Sequence, residues 1–378
     1  MLRPLITSIA LALLLSAYAT DRVVSPSGTY NTISSAIAAS SDGDRVLVAS
    51  GNYTENVGIA RSVSVLPLVE GTRYTVNGAL TVTHGSAAMQ VTISGMRANS
   101  AASTGGTGRL DLAIADSWLG TAVFPDPTTR VILLRDSLSN GAAFASGMIA
   151  GCVLGGISPG TVDPLVQLVT GSTLPDENLV VGNNIEFHPS VGNLPAYLID
   201  LQGSQPFHLE NNFVLMQSNN TRFCRVAGTP SSTQLPSSIA NNTFYRVTPM
   251  SAFTLTVSAN ISLSFVNNSV TNDTGGMVGT NGPSGPLTIS HNLYAAASWF
   301  NASTGLPTVG SPLINAGDPD PRYLDLDLTI NDVGCYGGSN SRANFTTGMG
   351  SAVVGFMQAP RVVAQGEAVN INATGFDR

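Results

Sequence analysis

The run of ionisable residues between positions 109 and 136 is the first place where the chain could do chemistry. It contains Arg109, Asp111, Asp116, Asp126, Arg130, Arg135 and Asp136. If Asp116 and Asp136 occupy equivalent places in successive turns of a repeat, their carboxylates lie about 5 Å apart, which is one strand spacing. Such a pair could bind Ca²⁺ or share a proton, with Arg109 and Arg135 as neighbouring catalytic candidates. Aspartates that bond to their own turns explain the same residues without chemistry.

Five aspartates near the other end of the chain form a second acidic group. They are Asp318, Asp320, Asp325, Asp327 and Asp332, which fall within fifteen residues. A Ca²⁺ ion takes about six to eight oxygen ligands, so these residues are candidates for a metal site that staples a loop. Their spacing matches no EF-hand loop, and Asp-Pro turns with solvated corners are the alternative interpretation.

Several other catalytic signatures are missing from the sequence. All 16 basic residues are arginines, which excludes a lysine base, and arginine is a poor base because its pKa lies above about 12. No Gly-x-Ser-x-Gly motif is present. The histidines are scattered without metal-binding spacing, so we interpret them as corner or surface residues. They are His84, His188, His208 and His291.

The composition excludes further classes of partner and site. Charged residues make up 10% of the 378-residue chain, against about 25% in ordinary globular domains. The net charge of −7 and the pI near 5.0 provide no basic surface for nucleic acid or anionic lipid, and we expect a monomer. Cys152, Cys224 and Cys335 are too widely spaced for a metal knuckle, so they are interpreted as buried small residues, with one disulfide as the alternative.

The first nineteen residues have the pattern of a secretory signal peptide. Arg3 precedes an apolar run over residues 5–15, and Ala17-Tyr18-Ala19 provides a small-residue cleavage site. No later stretch approaches the roughly 20 apolar residues that a membrane-spanning helix needs. We therefore expect a secreted or surface-exposed protein without a transmembrane segment.

An apolar residue followed by a small polar pair recurs through the interior of the chain. The repeat includes Val181-Gly182-Asn183-Asn184, Leu209-Glu210-Asn211-Asn212, Ile239-Ala240-Asn241-Asn242, Phe265-Val266-Asn267-Asn268 and Ile289-Ser290-His291-Asn292. Such spacing is typical of the coils of a solenoid. Asparagine tolerates a left-handed corner, and its amide can bond to the next coil. The repeat therefore predicts a structural ladder, with the members Asn184, Asn212, Asn242, Asn268 and Asn292.

A short helix is predicted before this repeat, followed by extended segments. Asn31 or Thr32 can cap the helix, and Asp42-Gly43 ends it. The motifs are Ile33-x-x-Ala36-Ile37, Gly43-Asp44-x-Val46-x-Val48 and Gly51-x-Tyr53-x-Glu55. This pattern resembles the N-terminal cap of the pectin-lyase-like superfamily, which includes polysaccharide-cleaving enzymes and non-enzymatic surface proteins. The resemblance implies an all-β fold, a right-handed parallel β-helix (solenoid) with a short N-terminal capping helix.

The C-terminal part carries two further resemblances. The stretches 314–319, 325–327 and 332–336 resemble the closing segment of bacterial β-helix surface proteins, although Leu328 stands where glycine is usual. Residues 359–378 resemble the first strands of a PKD or immunoglobulin-like domain, which we expect to be truncated. The predicted organisation is a signal peptide at 1–19, a β-helix domain at 20–340, a linker at 341–358 and the start of the Ig-like domain at 359–378.

These features favour a secreted or cell-surface β-helix module that is non-catalytic and binds a glycan or acts as an adhesin or spacer. Trp118 and Trp299 are the ligand-binding candidates because aromatic rings stack on sugars, with ordinary packing as the alternative. The alternative function is a polysaccharide lyase or carbohydrate esterase acting on an acidic polysaccharide such as pectate, for which Ca²⁺ is the candidate cofactor. An enzyme should bring at least three charged groups of the 109–136 run into one groove, whereas a binding module leaves them dispersed.

Overall fold

The computed structural model describes residues 19–156, 164–188, 194–218, 220–228, 237–258, 260–282, 285–345, 353–358, 366, 368–369 and 371–376. Most of the regular structure in them is β-strand. The first part contains β1 (Asp21–Val24), α1 (Ile33–Ala39), β2 (Arg45–Val48), β3 (Asn52–Tyr53), β4 (Val57–Ile59), β5 (Ser64–Pro67), β6 (Tyr74–Thr83), β7 (Met89–Ser94), β8 (Met96–Thr104), β9 (Leu110–Ala115), β10 (Trp118–Phe124), β11 (Thr129–Leu134), β12 (Ser137–Leu138), β13 (Ala142–Phe144), β14 (Ser146–Ala150), β15 (Val153–Gly156) and β16 (Val166–Leu168).

The second part contains fourteen further strands of the same kind and a separate C-terminal pair. They are β17 (Asn178–Val181), β18 (Asn184–Phe187), β19 (Tyr197–Leu201), β20 (Phe207–Glu210), β21 (Phe213–Met216), β22 (Arg222–Val226), β23 (Ser237–Ala240), β24 (Thr243–Met250), β25 (Phe253–Val257), β26 (Leu263–Val266), β27 (Ser269–Asp273), β28 (Gly276–Thr280), β29 (Leu287–Ser290), β30 (Leu293–Tyr294), β31 (Val353–Gln358) and β32 (Asn372–Phe376). Two 3₁₀ turns cover Ala297–Trp299 and Arg342–Phe345.

Three stacks of parallel strands run along the molecule. The long sheet has the order β1, β2, β5, β7, β9, β11, β14, β17, β20, β23, β26 and β29. The second stack contains β3, β6, β8, β10, β12, β15, β18, β21, β24, β27 and β30. The third contains β4, β6, β8, β10, β13, β16, β19, β22, β25 and β28, so that three strands belong to both. The predicted all-β parallel solenoid is confirmed.

The short helix α1 lies at the N-terminal end of the stacks, as the sequence predicts. Thr32 caps it, because its hydroxyl oxygen accepts the Ser35 backbone N–H at 3.1 Å. The Glu55 carboxylate accepts the N–H groups of Ile33 and Ser34 at 2.8 and 3.0 Å. These two bonds satisfy helix donors that would otherwise lack partners and explain why Glu55 ends the cap motif. The helix ends at Ala39, before the expected Asp42-Gly43 turn.

The core is a column of apolar side chains enclosed by the three stacks. Successive strand residues point to opposite faces, so alternate positions of the long sheet face inward. The inward residues include Leu112, Val131, Ile149, Val180, Leu209, Ile239 and Phe265, each at most 3% exposed. Side chains of the three stacks meet inside this column, as do the rings of Phe223, Phe244 and Phe265, one from each stack, whose neighbouring centroids are 5.3 and 6.4 Å apart. Each coil therefore buries its apolar face only against its neighbours.

A ladder of side chains lies at the corner between the long sheet and the second stack. Its rungs are Ser117, Asp136, Cys152, Asn183, Asn212, Asn242, Asn268 and Asn292, spaced 16 to 31 residues apart. In every pair of neighbours, a side-chain atom of the later rung accepts the backbone N–H of the earlier one. The asparagine Nδ2 groups also donate to backbone carbonyls of the preceding coil, at 2.7 to 3.0 Å. Asparagine thus satisfies a buried donor and a buried acceptor at once.

One predicted member of the ladder is wrong, because the rung is Asn183 and not Asn184. Asn183 lies opposite Asn212 and bonds to it, whereas the Asn184 amide donates to Glu186 within its own strand. The residue before each rung has a left-handed backbone, with φ between 51° and 67°. Gly182 takes this place in the Asn183 coil, as Asn211 does in the next. The sequence Gly-Asn-Asn therefore shifts the rung by one residue relative to Glu-Asn-Asn.

The C-terminal strands β31 and β32 pair antiparallel, unlike the strands of the solenoid. Strand β31 falls in the predicted linker 341–358, and it lies beside β9 and β11 of the long sheet. Before it, Phe345 packs on an apolar patch of the outer face of that sheet, formed by Ala113, Ala115, Ile132, Leu134, Ala150 and Val181. The division into linker and Ig-like piece stays a prediction, and residues 1–18 of the predicted signal peptide 1–19 lie outside the described residues. Within the described residues no helix has the length and apolar character to cross a membrane.

We predict that Asp136→Asn stabilises the protein increasingly as the pH rises. Burial raises the pKa of the Asp136 carboxyl well above its usual range, and its Oδ2 has no hydrogen-bond partner among the described residues. The folded state then binds a proton that the unfolded state releases above about pH 4, so wild-type stability falls by about 1.4 kcal/mol per pH unit from this group until the raised pKa is reached. An asparagine removes that loss and can donate to the Ile114 carbonyl, which is the equivalent acceptor.

Urea unfolding of wild type and variant at pH 5 and pH 7 measures this difference. The exposed Asp42, which accepts the Ser62 N–H at 2.9 Å, provides the matched control Asp42→Asn. A gain that is equal at both pH values, or shared by the control, would contradict a buried protonated acid at position 136.

We predict that Gly182→Ala destabilises the protein more than Gly310→Ala. Both glycines are left-handed, with φ of 67° and 73°, so each alanine is strained by about 1–2 kcal/mol. A Cβ on Gly182 would also overlap the Phe345 ring, whereas nothing lies within 4 Å of a Cβ on Gly310. Overpacking of this kind adds about 1–3 kcal/mol. Thermal unfolding of both variants provides the comparison, and equal losses would mean that Phe345 does not dock on Gly182.

Candidate functional site

Residues 311–345, here called the closing segment, fold back over the corner of the last coils. Asn211 donates from Nδ2 to the carbonyls of Cys335 and Gly337, the first at 3.3 Å. One coil further on, the Asn241 Nδ2 donates to the same Gly337 carbonyl at 3.4 Å. The Asn267 Oδ1 accepts the Asp318 N–H at 2.8 Å. In the pairs 211–212, 241–242 and 267–268, the first asparagine is left-handed, points outward and holds this segment, while the second asparagine forms a rung.

Apolar contacts fix the segment beside these hydrogen bonds. Phe213 and Leu215 on β21 face outward, away from the solenoid core, yet Phe213 is fully buried. Their cover consists of Ala295, Phe300, Leu313, Val333 and Cys335. The Cys335 N–H also bonds to the Thr243 hydroxyl at 3.0 Å. The closing segment thus forms a wall beside the outer face of the long sheet.

A groove of about 340 Å³ lies between this wall and strands β20, β23 and β26, and we call it the closing-segment groove. Its lining is polar except for one aromatic ring and one alanine. The residues are His208, Glu210, Asn211, Ser238, Ala240, Asn241, Ser264, Arg322, Tyr323, Gly338, Ser339 and Asn340. His208, Ser238 and Ser264 lie opposite one another on neighbouring strands, so one outer column of the sheet forms the floor.

A chain of hydrogen bonds crosses the groove from the sheet to the closing segment. The Ser238 hydroxyl donates to Glu210 Oε1 at 2.8 Å, and the Asn340 amide donates to Glu210 Oε2 at 3.0 Å. His208 Nδ1 lies 2.7 Å from the Ser238 oxygen. On its other side, His208 Nε2 lies 3.5 Å from a Glu177 carboxylate oxygen. The His208 ring is only 6% exposed, so this network fixes its orientation.

The direction of these bonds decides what Ser238 can do. A hydroxyl has one proton, and Ser238 gives it to Glu210 because a carboxylate only accepts. At the other bond, His208 Nδ1 must therefore be the donor. A nucleophilic serine needs the reverse order, in which the histidine accepts the serine proton. The arrangement presents fixed donors and acceptors, and it is not that of a Ser-His nucleophile pair.

The structure places the predicted catalytic residues differently from expectation. Asp116 and Asp136 do not occupy equivalent positions: Asp116 lies at a left-handed corner with φ 53°, and Asp136 is a rung one residue later in its own coil. The neighbour of Asp116 in the next coil is Arg135, which bonds to its carboxylate at 2.9 and 2.6 Å. The hydrogen bonds that Arg135 donates to the Asp116 carboxylate raise the pKa of Arg135, which makes this arginine a poorer base.

Part of the ionic run does converge on the outer face of the long sheet. Arg109 bonds to Asp111 at 3.0 Å and to Asp176 at 2.9 Å, and Arg130 lies 3.7 Å from the same Asp176 carboxylate. Three groups of the run therefore meet, but in mutually neutralising pairs, and they line neither the closing-segment groove nor the second groove described below. Burial lowers the pKa of Arg109, yet hydrogen bonds to Asp111 and Asp176 outweigh it and the net shift is upward. Arg109 is therefore a poor proton acceptor.

The five aspartates of the closing segment serve separate hydrogen bonds. Asp325 accepts the Gly338 and Asp332 N–H groups, while Asp332 accepts the Asn315 N–H at 2.8 Å. Asp318, Asp320 and Asp327 each accept the backbone N–H of the residue two positions further along the chain. Across the described residues, no three His, Cys, Asp or Glu side chains are placed to hold a metal ion. The turns around these residues account for the acidic group.

The two tryptophans lie in different surroundings, and neither lines the groove. Trp118 on β10 is half-buried, and the Arg97 guanidinium lies over its ring at 4.6 Å. Trp299 packs on the apolar cluster beneath the closing segment. Their role in ligand binding stays a prediction.

The groove residues are not predicted from the sequence, and the pattern indicates a corner or surface position for His208. His208 instead lies within β20, and Glu210 is the next outward position of the same strand. A signal was present, because His208 stands three residues before Asn211 and Ser238 stands three before Asn241. Counting back from equivalent corners places both side chains in one column. The contribution of Asn340 has no such signal, because it depends on how the closing segment folds back.

Comparison with known proteins identifies the fold. No family model matches the chain, and no curated protein matches it. A solved structure described as "Crystal structure of pectate lyase Pel9A" is similar, with a TM-score of 0.52 and 14% sequence identity over 85% of this chain and 97% of that chain. The chain therefore shares the parallel β-helix fold of that structure. At 14% identity the likeness shows the fold alone, and the right-handed solenoid expected from the cap motif is confirmed.

We predict that Asn211→Gly loosens the closing segment without straining the corner. Glycine adopts the φ of 57° freely, so the variant removes only the side-chain bonds to Cys335 and Gly337. We expect faster amide exchange over residues 334–338 and a loss of about 1–3 kcal/mol in the free energy of unfolding. Asn315→Gly is the matched control, because Asn315 is left-handed with φ 54° and exposed. Equal exchange rates in both variants would show that Asn211 does not anchor the segment.

Proposed function

We propose that this chain is a secreted or cell-surface β-helix module that binds a glycan in the closing-segment groove without cleaving it. The observation that carries the proposal is the groove itself, in which fixed polar groups of the long sheet face a wall with one tyrosine. Sugar hydroxyls donate and accept hydrogen bonds in nearly every direction, so they suit a lining of carboxylate, amide, hydroxyl and imidazole groups.

The geometry of the groove supports a binding role in two ways. First, its polar groups are held by one another, as in the Asn340, Glu210, Ser238 and His208 network, so little side-chain freedom remains to be lost on binding. Second, the half-buried Tyr323 ring lies next to Arg322, whose guanidinium carbon is 5.5 Å from the ring centre. An aromatic ring at the edge of a polar groove offers a face for a sugar ring.

The lyase or esterase alternative receives support from the likeness to a pectate lyase fold and from the convergence of Arg109, Asp111 and Arg130. The ion pairs argue against it, because arginines with raised pKa cannot remove a proton near neutral pH. Incubation with pectate, alginate and a methyl-esterified pectin, with Ca²⁺ supplied, tests this alternative. Release of unsaturated sugars or of methanol would overturn the non-catalytic proposal.

The cellular setting is part of the same proposal. The signal-peptide pattern of residues 1–19 supports export. The strand pair β31 and β32 at the C-terminal end supports an appended β-domain of PKD or Ig type, as expected in modular bacterial surface proteins. A glycan-binding solenoid followed by such a domain suits attachment to an extracellular polysaccharide.

We predict that Tyr323→Ala weakens glycan binding at least tenfold, a loss of about 1.4 kcal/mol in binding free energy. Isothermal titration with hexasaccharides of galactose, xylose and galacturonic acid identifies the ligand and measures the change. Tyr294→Ala is the matched control, because Tyr294 is 55% exposed and does not line the groove. If no hexasaccharide binds, or if the control loses as much affinity, the closing-segment groove is not a glycan site.

A further inference from the structure

A second groove lies on the third stack, over strands β22, β25 and β28. Its volume is about 310 Å³, and we call it the arginine–phenylalanine groove after its two largest side chains. The lining is otherwise formed by small or polar residues. They are Arg222, Ser251, Ala252, Phe253, Thr256, Gly275, Gly279 and Asn281. None of them lines the closing-segment groove on the long sheet.

Phe253 provides a flat apolar surface in this groove. It lies opposite Gly276, and Gly279 is the residue opposite Thr256. A Cβ on Gly279 would overlap the Phe253 ring, and one on Gly276 would lie 3.1 Å from its edge. The ring therefore lies directly on glycine backbone. Phe253 remains 42% exposed, because the next coil has no side chain to cover the ring, so an apolar surface faces solvent.

Arg222 supplies an uncompensated positive charge beside that ring. Its Nη1 donates to the Tyr197 hydroxyl at 3.0 Å, and its guanidinium carbon lies 5.7 Å from the Tyr197 ring centre. The neighbouring Arg225 is neutralised by Asp200 at 2.8 and 2.5 Å. In the part of the chain that the structure describes, no carboxylate forms an ion pair with Arg222. A chain of net charge −7 thus leaves one exposed arginine unpaired in a groove.

The backbone that carries Arg222 is held from inside the solenoid. Arg246 is fully buried and donates from Nη1 to the carbonyls of Ser218 and Thr221, at 2.6 and 3.0 Å. Its Nε bonds to the equally buried Asp273 at 2.5 Å. Thr221 directly precedes Arg222, so these hydrogen bonds from Arg246 hold the start of β22, from which the exposed guanidinium projects. A pre-positioned arginine is better suited to a ligand than a freely moving one.

We infer that the arginine–phenylalanine groove binds a glycan chain that carries oxyanion substituents, either carboxylate or sulfate. Arg222 would bind the oxyanion through two parallel N–H groups, and the Phe253 ring would stack on a sugar ring. Ser251, Thr256 and Asn281 provide hydroxyl and amide groups for the sugar hydroxyls. A protein partner would bury a larger apolar centre than one ring among glycines and hydroxyls. The inference shares only the premise of a glycan ligand with the proposed function, and it uses other residues.

The test compares one sugar backbone with and without charge. Titrations use the hexamer of galacturonic acid, its fully methyl-esterified form and a sulfated galactose hexamer. We expect the wild-type chain to bind the carboxylated or the sulfated hexamer at least tenfold more tightly than the neutral ester, and the two charged arms identify the oxyanion. In Arg222→Gln the preference should fall below twofold, while Phe253→Ser should weaken all three ligands alike.

Two controls separate this site from the closing-segment groove and from a general charge effect. Arg322→Gln removes an exposed arginine of the other groove and should leave the preference for charged hexamers intact. Tyr323→Ala should likewise leave it intact, even if it abolishes binding in the closing-segment groove. The inference is overturned if the ester binds as tightly as the charged hexamers, if Arg322→Gln removes the preference as fully as Arg222→Gln, or if only a protein ligand binds the groove.

Discussion

The structure depends on the exchange of hydrogen bonds between side chains and backbone at one corner of each coil. A chain that turns sharply there leaves an N–H and a carbonyl without strand partners, and these groups are buried. From Asn183 onward, one asparagine side chain satisfies both groups of the preceding coil. Its amide oxygen accepts the N–H, and its amide nitrogen donates to the carbonyl. Ser117, Asp136 and Cys152 perform only part of this task. The ladder therefore sets the height of each coil and hence which outer residues become neighbours.

The residue that precedes each rung is constrained by the same corner, and its identity follows from what covers it. Where residues 318–337 of the closing segment pass overhead, the residue is asparagine, whose side chain bonds to that segment, as Asn211 and Asn267 do. Where Phe345 lies overhead, it is glycine, as at Gly151 and Gly182, because a Cβ would meet the ring. The Asn-Asn and Gly-Asn pairs are thus two solutions to one geometric problem. The rung residue, on the inner side, holds neighbouring coils together. The residue before it, on the outer side, contacts the segment that covers the corner.

This division explains what the sequence could predict. The coil repeat, the capping helix and most rungs follow from local patterns, since a corner needs asparagine or glycine and a strand needs alternation. Asn184 was misplaced because Gly182 takes a corner that asparagine takes elsewhere. Asp116 and Asp136 looked equivalent by spacing, yet one residue of register separates a corner from a rung. The groove around His208 and Ser238 requires the register of two coils about 30 residues apart and the path of a segment more than 100 residues later, and no local pattern records these.

Because the chain has few charged residues, an unpaired charged side chain has a strong influence on which ligands its surface binds. Many charged side chains of the described residues are paired with one another, as Arg135 is with Asp116 and Arg225 with Asp200. Such pairs hold loops and corners and leave little field at the surface. Arg222, beside the uncovered Phe253 ring, forms no such ion pair among the described residues. An oxyanion that binds there therefore meets no competing carboxylate. In a solenoid the outer faces repeat from coil to coil, so recognition arises where one coil departs from the pattern. Gly276 opposite Phe253 and the start of β22, which Arg246 holds, are such departures, and they lie in neighbouring coils.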